Sequence, residues 1–183
     1  MRAPDVMPNG VEKTFGDDEI IVSKTDPQGR LTYVNDLFVE ISGYPERDLL
    51  GKPHSIIRHP DMPRSVFRLL WDTISGGEEL FAYVMNLSAD GSHYWVLAHV
   101  TPTFGPDGSI VGYHSNRRTA SRSALAQVEP LYRALLAEEH RHGNARDAAA
   151  AGTALLEKTL KDLGTTYPEW VWALSTEDLE VAA

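Results

Sequence analysis

The sequence predicts an α+β domain with a five-stranded antiparallel sheet and short helices grouped on one face, followed by C-terminal helices. Three observations lead to this. Two short strand-like runs near the N-terminus flank an Asp-Pro-Gln-Gly turn, and three longer ones between 79 and 119 are joined by Asp-Gly turns. Between these two groups, apolar residues recur at helical spacing. Beyond 120 the strand signals stop, and leucines and alanines recur every three or four residues. Strands, then helices, then a meander is the order of a segregated α+β sheet.

Residues 1–18 carry Pro4, Pro8, Gly10 and Gly16 and predict a loose N-terminal arm. The run 19–24, Glu-Ile-Ile-Val-Ser-Lys, is β-branched and predicts the first strand. Asp26, Pro27 and Gly29 turn the chain, and 31–35 returns as the second strand of a hairpin. Leu37, Phe38, Val39 and Ile41 predict a short helix capped by Asn35 and ended by Gly43. A further helical turn is expected at 45–50.

The stretch 51–62, Gly-Lys-Pro-His-Ser-Ile-Ile-Arg-His-Pro-Asp-Met, concentrates ionisable groups in a dozen residues. Its prolines and glycine oppose regular helix. It runs directly into an apolar helix over 63–74 that contains Val66, Phe67, Leu69, Leu70 and Trp71 and stops at Gly76-Gly77. A polar loop leading into an apolar helix predicts one wall of a pocket, with a few placed donors over an apolar floor. Strands are then expected at 79–87, 93–103 and 109–119.

Composition narrows the function classes. The chain has 183 residues and a formal net charge of −9, a poor match to nucleic acid or an anionic membrane. It has no cysteine, which excludes disulfides, thiolate metal sites and a cysteine nucleophile. No apolar run approaches the roughly 18 residues of a membrane span, and no signal-like segment opens the chain, so a cytoplasmic protein is expected. There is no P-loop, dinucleotide fingerprint, HExxH or GxSxG, so no enzyme activity is expected.

The order of elements, with Asp26-Pro27-Gln28-Gly29-Arg30, Tyr33-Val34-Asn35, Gly43-Tyr44, Leu50-Gly51 and Tyr94-Trp95, resembles the PAS fold. Gly51-Lys52-Pro53-His54, Arg58-His59-Pro60-Asp61-Met62-Pro63, Gly91 to Val96, Gly112-Tyr113 and Val128-Glu129-Pro130-Leu131-Tyr132 narrow it to the sensor domain of bacterial aerotaxis receptors. The resemblance covers roughly 12–137. It implies FAD binding and signalling of redox state or oxygen to a chemotaxis partner. By position, it implies flavin contacts from Asn35, Arg58, His59, Asp61, Trp71 and Asn86.

These residue types suit that task. Arg58 offers a planar fork of donors, Asn35 and Asn86 pair donor with acceptor, His59 titrates near neutrality and Trp71 is a large flat surface. Each also has a structural alternative: Asn35 and Asp61 as helix caps, Trp71 as core, Arg58 with Asp61 as an ion pair. Arg117 and Arg118 read as solvated charges at a strand end. Where the family commonly has tryptophan and glycine early in the third strand, this chain has Leu80 and Ala82. That apolar departure keeps haem b as the alternative cofactor, with His54 or His59 as axial ligand. A cofactor-free interaction module is the remaining alternative.

The region 121–183 is expected to serve dimerisation or docking. Leu125, Val128, Leu131, Leu135 and Leu136 form a helical stripe suited to the domain's own sheet or to a second copy in a homodimer. The polar break at 139–144 predicts an antiparallel hairpin with a second helix over 145–163. Trp170, Val171 and Trp172 form an aromatic tail. The expected organisation is an arm at 1–18, a sensor domain at 19–120 and a helical region at 121–183.

Overall fold

A computed structural model describes residues 6–181. Five strands form one antiparallel sheet: β1 (Ile21–Thr25), β2 (Leu31–Val34), β3 (Leu80–Leu87), β4 (His93–Phe104) and β5 (Ile110–Thr119). Their order is β2-β1-β5-β4-β3, so β1 pairs with the last strand and closes the centre of the sheet. Asp26 builds the first turn: its Oδ1 accepts from the backbone N–H of Gln28 at 3.0 Å and of Arg30 at 2.8 Å. The helices α1 (Asp36–Ser42), α2 (Glu46–Leu49) and α3 (Arg64–Ser75), with a 3₁₀ turn at His54–Ile57, lie between β2 and β3 in sequence.

Asn35 caps α1, and it does more. Its Oδ1 accepts from Phe38 N at 3.2 Å and from Val22 N at 2.9 Å, while Nδ2 donates to Ile20 O at 2.8 Å. One amide thus ties the start of α1 to the start of β1. Asn35→Ala is expected to destabilise the protein by about 2 kcal/mol, because two backbone donors lose their acceptor. Urea denaturation of the variant checks this, and a loss under about 0.5 kcal/mol counts against it.

Strand alternation divides the sheet into two faces. In the β3–β4 register, Ala82 pairs with Ala98, Val84 with Val96 and Asn86 with Tyr94 on one face. Phe81 with His99, Tyr83 with Leu97 and Met85 with Trp95 occupy the other. The first face looks toward α3. The second is covered by the C-terminal helices α4 (Arg122–Glu139) and α6 (Tyr167–Val181). There the Tyr132 hydroxyl donates to Tyr83 O at 2.8 Å, Tyr132 packs on Trp95, and Trp172 meets Phe81 edge-on at 6.5 Å. The helix α5 (Ala145–Asp162) forms the expected hairpin with α4 and also packs on α3. Leu125, Val128 and Leu135 are buried within the chain.

Three local expectations change. The N-terminal arm is not loose where it is described. Asn9 N donates to Gly91 O, Lys13 N to His93 O and His93 N to Val11 O, and Lys13 pairs with Asp90 at 2.9 Å. Residues 9–13 therefore run along the β3–β4 turn, a pairing across some 80 residues that leaves no local pattern. The first strand begins two residues later than expected, at Ile21. The aromatic tail forms a helix, in which Tyr167, Val171 and Leu174 are buried. Among the described residues no helix is long and apolar enough to cross a membrane.

Candidate functional site

Between the sheet and α3 lies a cavity of about 380 Å³. Its sheet wall comes from alternate residues: Thr25 on β1, Val84 and Asn86 on β3, Ala98 and Val100 on β4, and Tyr113, Ser115 and Arg117 on β5. Its helical wall is Phe67, Leu70, Trp71 and Ile74, which share one face of α3 at i, i+3, i+4 and i+7. The loop before α3 adds His54 and Arg58.

Four buried side-chain atoms on this cavity have no hydrogen-bond partner: Asn86 Nδ2, Arg117 Nη1, Ser115 Oγ and Thr25 Oγ1. Leaving such groups unpaired costs about 1–3 kcal/mol each. Their convergence on a single cavity leaves it lined with donors and acceptors that the protein itself does not satisfy.

Arg117 is the dominant charge. It is 4% exposed. Its Nη2 donates to Ser23 Oγ at 3.0 Å and meets His54 Nε2, and its guanidinium lies 5.5 Å over the Phe38 ring. Burial lowers its pKa to about 10, which still leaves it charged at neutral pH. Among the described residues it has no ion pair with a carboxylate. Burial, and next the charge of Arg117, push the His54 imidazole well below its usual range. His54 is therefore neutral, and its Nε2 lone pair accepts from Arg117.

Arg58 lies with its guanidinium 3.9 Å over the Phe67 ring and donates to Met62 O at 3.4 Å. Burial, and then the nearby Arg64 charge, lower its pKa to about 10. A backbone bridge joins Arg58 to Asn86, which fastens the loop to the edge of β3. Trp71 stands edge-on to Tyr113 at 5.5 Å and is 39% exposed, at the rim of the cavity. It closes against the Asp26–Arg30 turn because Gly29 has no side chain: a Cβ there sits 2.8 Å from the indole.

Of the six expected contact residues, Arg58, Trp71 and Asn86 line the cavity together, and Asn35, His59 and Asp61 do not. His59 is buried behind the loop. Its Nδ1 accepts from Asp61 N at 3.1 Å, and its ring stands 6.0 Å from His93. Burial lowers the His59 pKa, Asp61 works against that and His93 adds to it. The Asp61 side chain is largely exposed and lies 3.9 Å from His59 Nδ1. The Arg58–Asp61 ion pair does not form, nor does Asp61 cap α3, whose N-cap Pro63 makes no side-chain bond.

Arg117 corrects the expectation of a solvated strand end. Tyr113, Ser115 and Arg117 alternate along β5, and the period of two carries Arg117 to the cavity face with them. That spacing was the available signal. Its neighbour Arg118 points the other way and is exposed. Among the described residues no cluster of three or more His, Cys, Asp or Glu is placed to hold a metal ion.

Comparison with known proteins agrees with this fold. A family model described as PAS fold matches residues 31–117. The aerotaxis receptor of Escherichia coli (strain K12) is 45% identical over 121 residues, 66% of this chain and 24% of that protein. The nitrogen fixation regulatory protein of Klebsiella pneumoniae is 27% identical over 104 residues, covering 57% and 21%. The chain thus spans about a quarter of the length of these curated relatives. Among solved structures, the dark structure of the blue-light photoreceptor Aureochrome1 LOV superposes with a TM-score of 0.54 at 23% identity, over 60% of this chain and 82% of that one.

Proposed function

Residues 31–117 of this chain belong to the PAS fold family, and from that premise we propose that the protein is a non-enzymatic sensor. It holds FAD in the cavity and passes redox state or oxygen level to a signalling partner of the chemotaxis type. The observation that carries this is the set of four unpaired polar atoms on one apolar cavity. Asn86 Nδ2 and Arg117 Nη1 are donors, and the Ser115 and Thr25 hydroxyls both donate and accept. A flavin presents carbonyl acceptors and a ring N–H along its pyrimidine edge, which is the complement of that set. The 45% identity to an aerotaxis receptor supports the same choice.

FAD would supply reversible electron uptake. The protein's residues bind, orient and shield. Asn86, Ser115 and Arg117 would hold the polar atoms of the bound group, Phe67, Leu70 and Ile74 would exclude water, and Arg58 and Trp71 line the loop side. Asn35, His59 and Asp61 act from behind: Asn35 holds α1 to β1, and His59 with Asp61 sets the loop that carries Arg58. The donor set does not fit haem. The Nε2 of His54 is engaged by Arg117, and His59 does not line the cavity.

Output runs through α3, whose one face is cavity wall and whose N-terminus is held by α4. The experiment that tests this function is the visible absorption spectrum of purified protein, alone and after mixing with FAD. A bound flavin spectrum near one per chain is expected, and Asn86→Leu is expected to weaken binding at least tenfold. Protein that stays colourless with FAD while folded would instead point to an interaction module.

A further inference from the structure

We propose that Arg117 is the built-in counterion of the cavity, balancing the negative charge that the bound ring acquires on reduction. The proposal rests on the flavin reading and deepens it. A charged guanidinium in an interior costs several kcal/mol unless it is paired, and proteins pair such groups with carboxylates. Among the described residues Arg117 makes its contacts with neutral groups. Ser23 from β1 and His54 from the loop accept from Nη2, and Phe38 from α1 lies beneath it. Nη1 is left free on the cavity.

The titratable groups that face it add no anion. Tyr94, on β4, is held protonated by burial, which raises its pKa. His54 is held neutral by burial and by Arg117 itself. Arg58, on the loop, is a second cation on the same cavity. Among the described residues the cavity therefore carries positive charge with no resident negative charge, an arrangement that favours a ligand when that ligand becomes anionic. His54 and Ser23 are positioning residues, which aim the fork and leave one arm free.

An external two-electron reductant, dithionite in the test, delivers two electrons to the neutral oxidised ring, and solvent delivers one proton to N5. The product carries one negative charge, shared by N1 and the C2 carbonyl oxygen. Arg117 stabilises that charge, so no second proton is taken up.

The test is the midpoint potential of bound flavin against pH, in wild type, Arg117→Gln and Arg117→Lys. Gln removes the charge and shortens the reach toward Ser23 and His54, whereas Lys keeps the charge, so the two variants together separate charge from shape. The reduction equilibrium of R117Q is expected to fall at least tenfold, a midpoint lower by about 30 mV for a two-electron couple. R117K, which keeps the charge, is expected to lie closer to wild type. On the acid side of neutrality, wild type is expected to shift by about 30 mV per pH unit, for one proton per two electrons. R117Q is expected to shift by about 59 mV, for two protons. Flavin bound to R117Q with an unchanged midpoint and an unchanged slope overturns the proposal and leaves the sensor reading standing. Wild-type protein that binds no flavin overturns both.

Discussion

Replacing Glu139 with alanine is expected to destabilise the protein by about 3 kcal/mol and to free α4 and α5 from α3. Glu139 is the last residue of α4 and is buried. Its Oε1 accepts from Ser65 N at 2.8 Å and Ser65 Oγ at 2.7 Å, and its Oε2 accepts from Arg64 N at 2.8 Å. Arg64 and Ser65 begin α3, where Pro63 supplies no cap of its own. A carboxylate at its own helix's C-terminus is electrostatically misplaced, and at another helix's N-terminus it is favoured. Glu139 is thus the missing cap of α3, delivered from 75 residues away.

Gly152 on α5 makes room for this contact. A Cβ at that position lies 2.5 Å from Glu139 Oε1 and 2.8 Å from Ser65 Oγ. Gly152→Ala is therefore expected to destabilise, although alanine is the better helix former by about 1 kcal/mol. Glu139→Gln keeps one acceptor and is expected to lose about half as much as Glu139→Ala. Urea denaturation gives the energies, and hydrogen exchange at the first turn of α3 locates the change. An E139A midpoint within error of wild type, with unchanged exchange there, would remove α3–α4 coupling as the output route.

Acidification from about pH 7 to pH 5 is expected to lower stability by roughly 1.5 kcal/mol through His54. Burial and Arg117 hold the folded pKa of His54 well below its usual value. Between that folded value and the unfolded value of about 6.5, the unfolded chain binds a proton that the folded chain excludes. The contribution is fully present above the unfolded pKa and is lost as pH falls toward the folded one, by at most about 1.4 kcal/mol per pH unit. His59 shifts in the same direction, by burial first, and adds to the slope. The Asp90 carboxyl is held near about 2 by Lys13 and Ser92, so it remains ionised and adds no slope in this window. Urea midpoints at pH 7 and pH 5 are expected to differ clearly more in wild type than in His54→Gln, which keeps an acceptor for Arg117 and has no proton to gain. Equal differences would mean that His54 is not the group excluded from protonation.

Much of the fold was legible because its signals are local. The Asp26 turn, the Asn35 cap, the Gly76-Gly77 stop and the Asp90-Gly91 turn each act within four or five residues, and each appears where its chemistry requires. The alternation of β3 to β5 and the i, i+3, i+4, i+7 face of α3 follow from backbone geometry, so the two cavity walls were in principle readable. The family resemblance points by position to Arg58, Trp71 and Asn86, and these three share the cavity. His59 and Asp61 belong to the same resemblance but turn away from it. A string of adjacent residues in a loop states nothing about which side chains point inward.

The sequence by itself determined which segments are strands and helices, where the chain turns, and that a polar loop feeds an apolar helix, because propensity, capping and periodicity operate over a few residues. Only the tertiary structure decided which distant groups meet. The order β2-β1-β5-β4-β3 brings Ser23, His54 and Arg117 together across 94 positions and, among the described residues, leaves that arginine without a carboxylate. The return of α4 sets Glu139 on the N-terminus of α3. The arm joins the β3–β4 turn. These choices depend on desolvation and charge in a shared interior, and such terms exist only once the elements have packed.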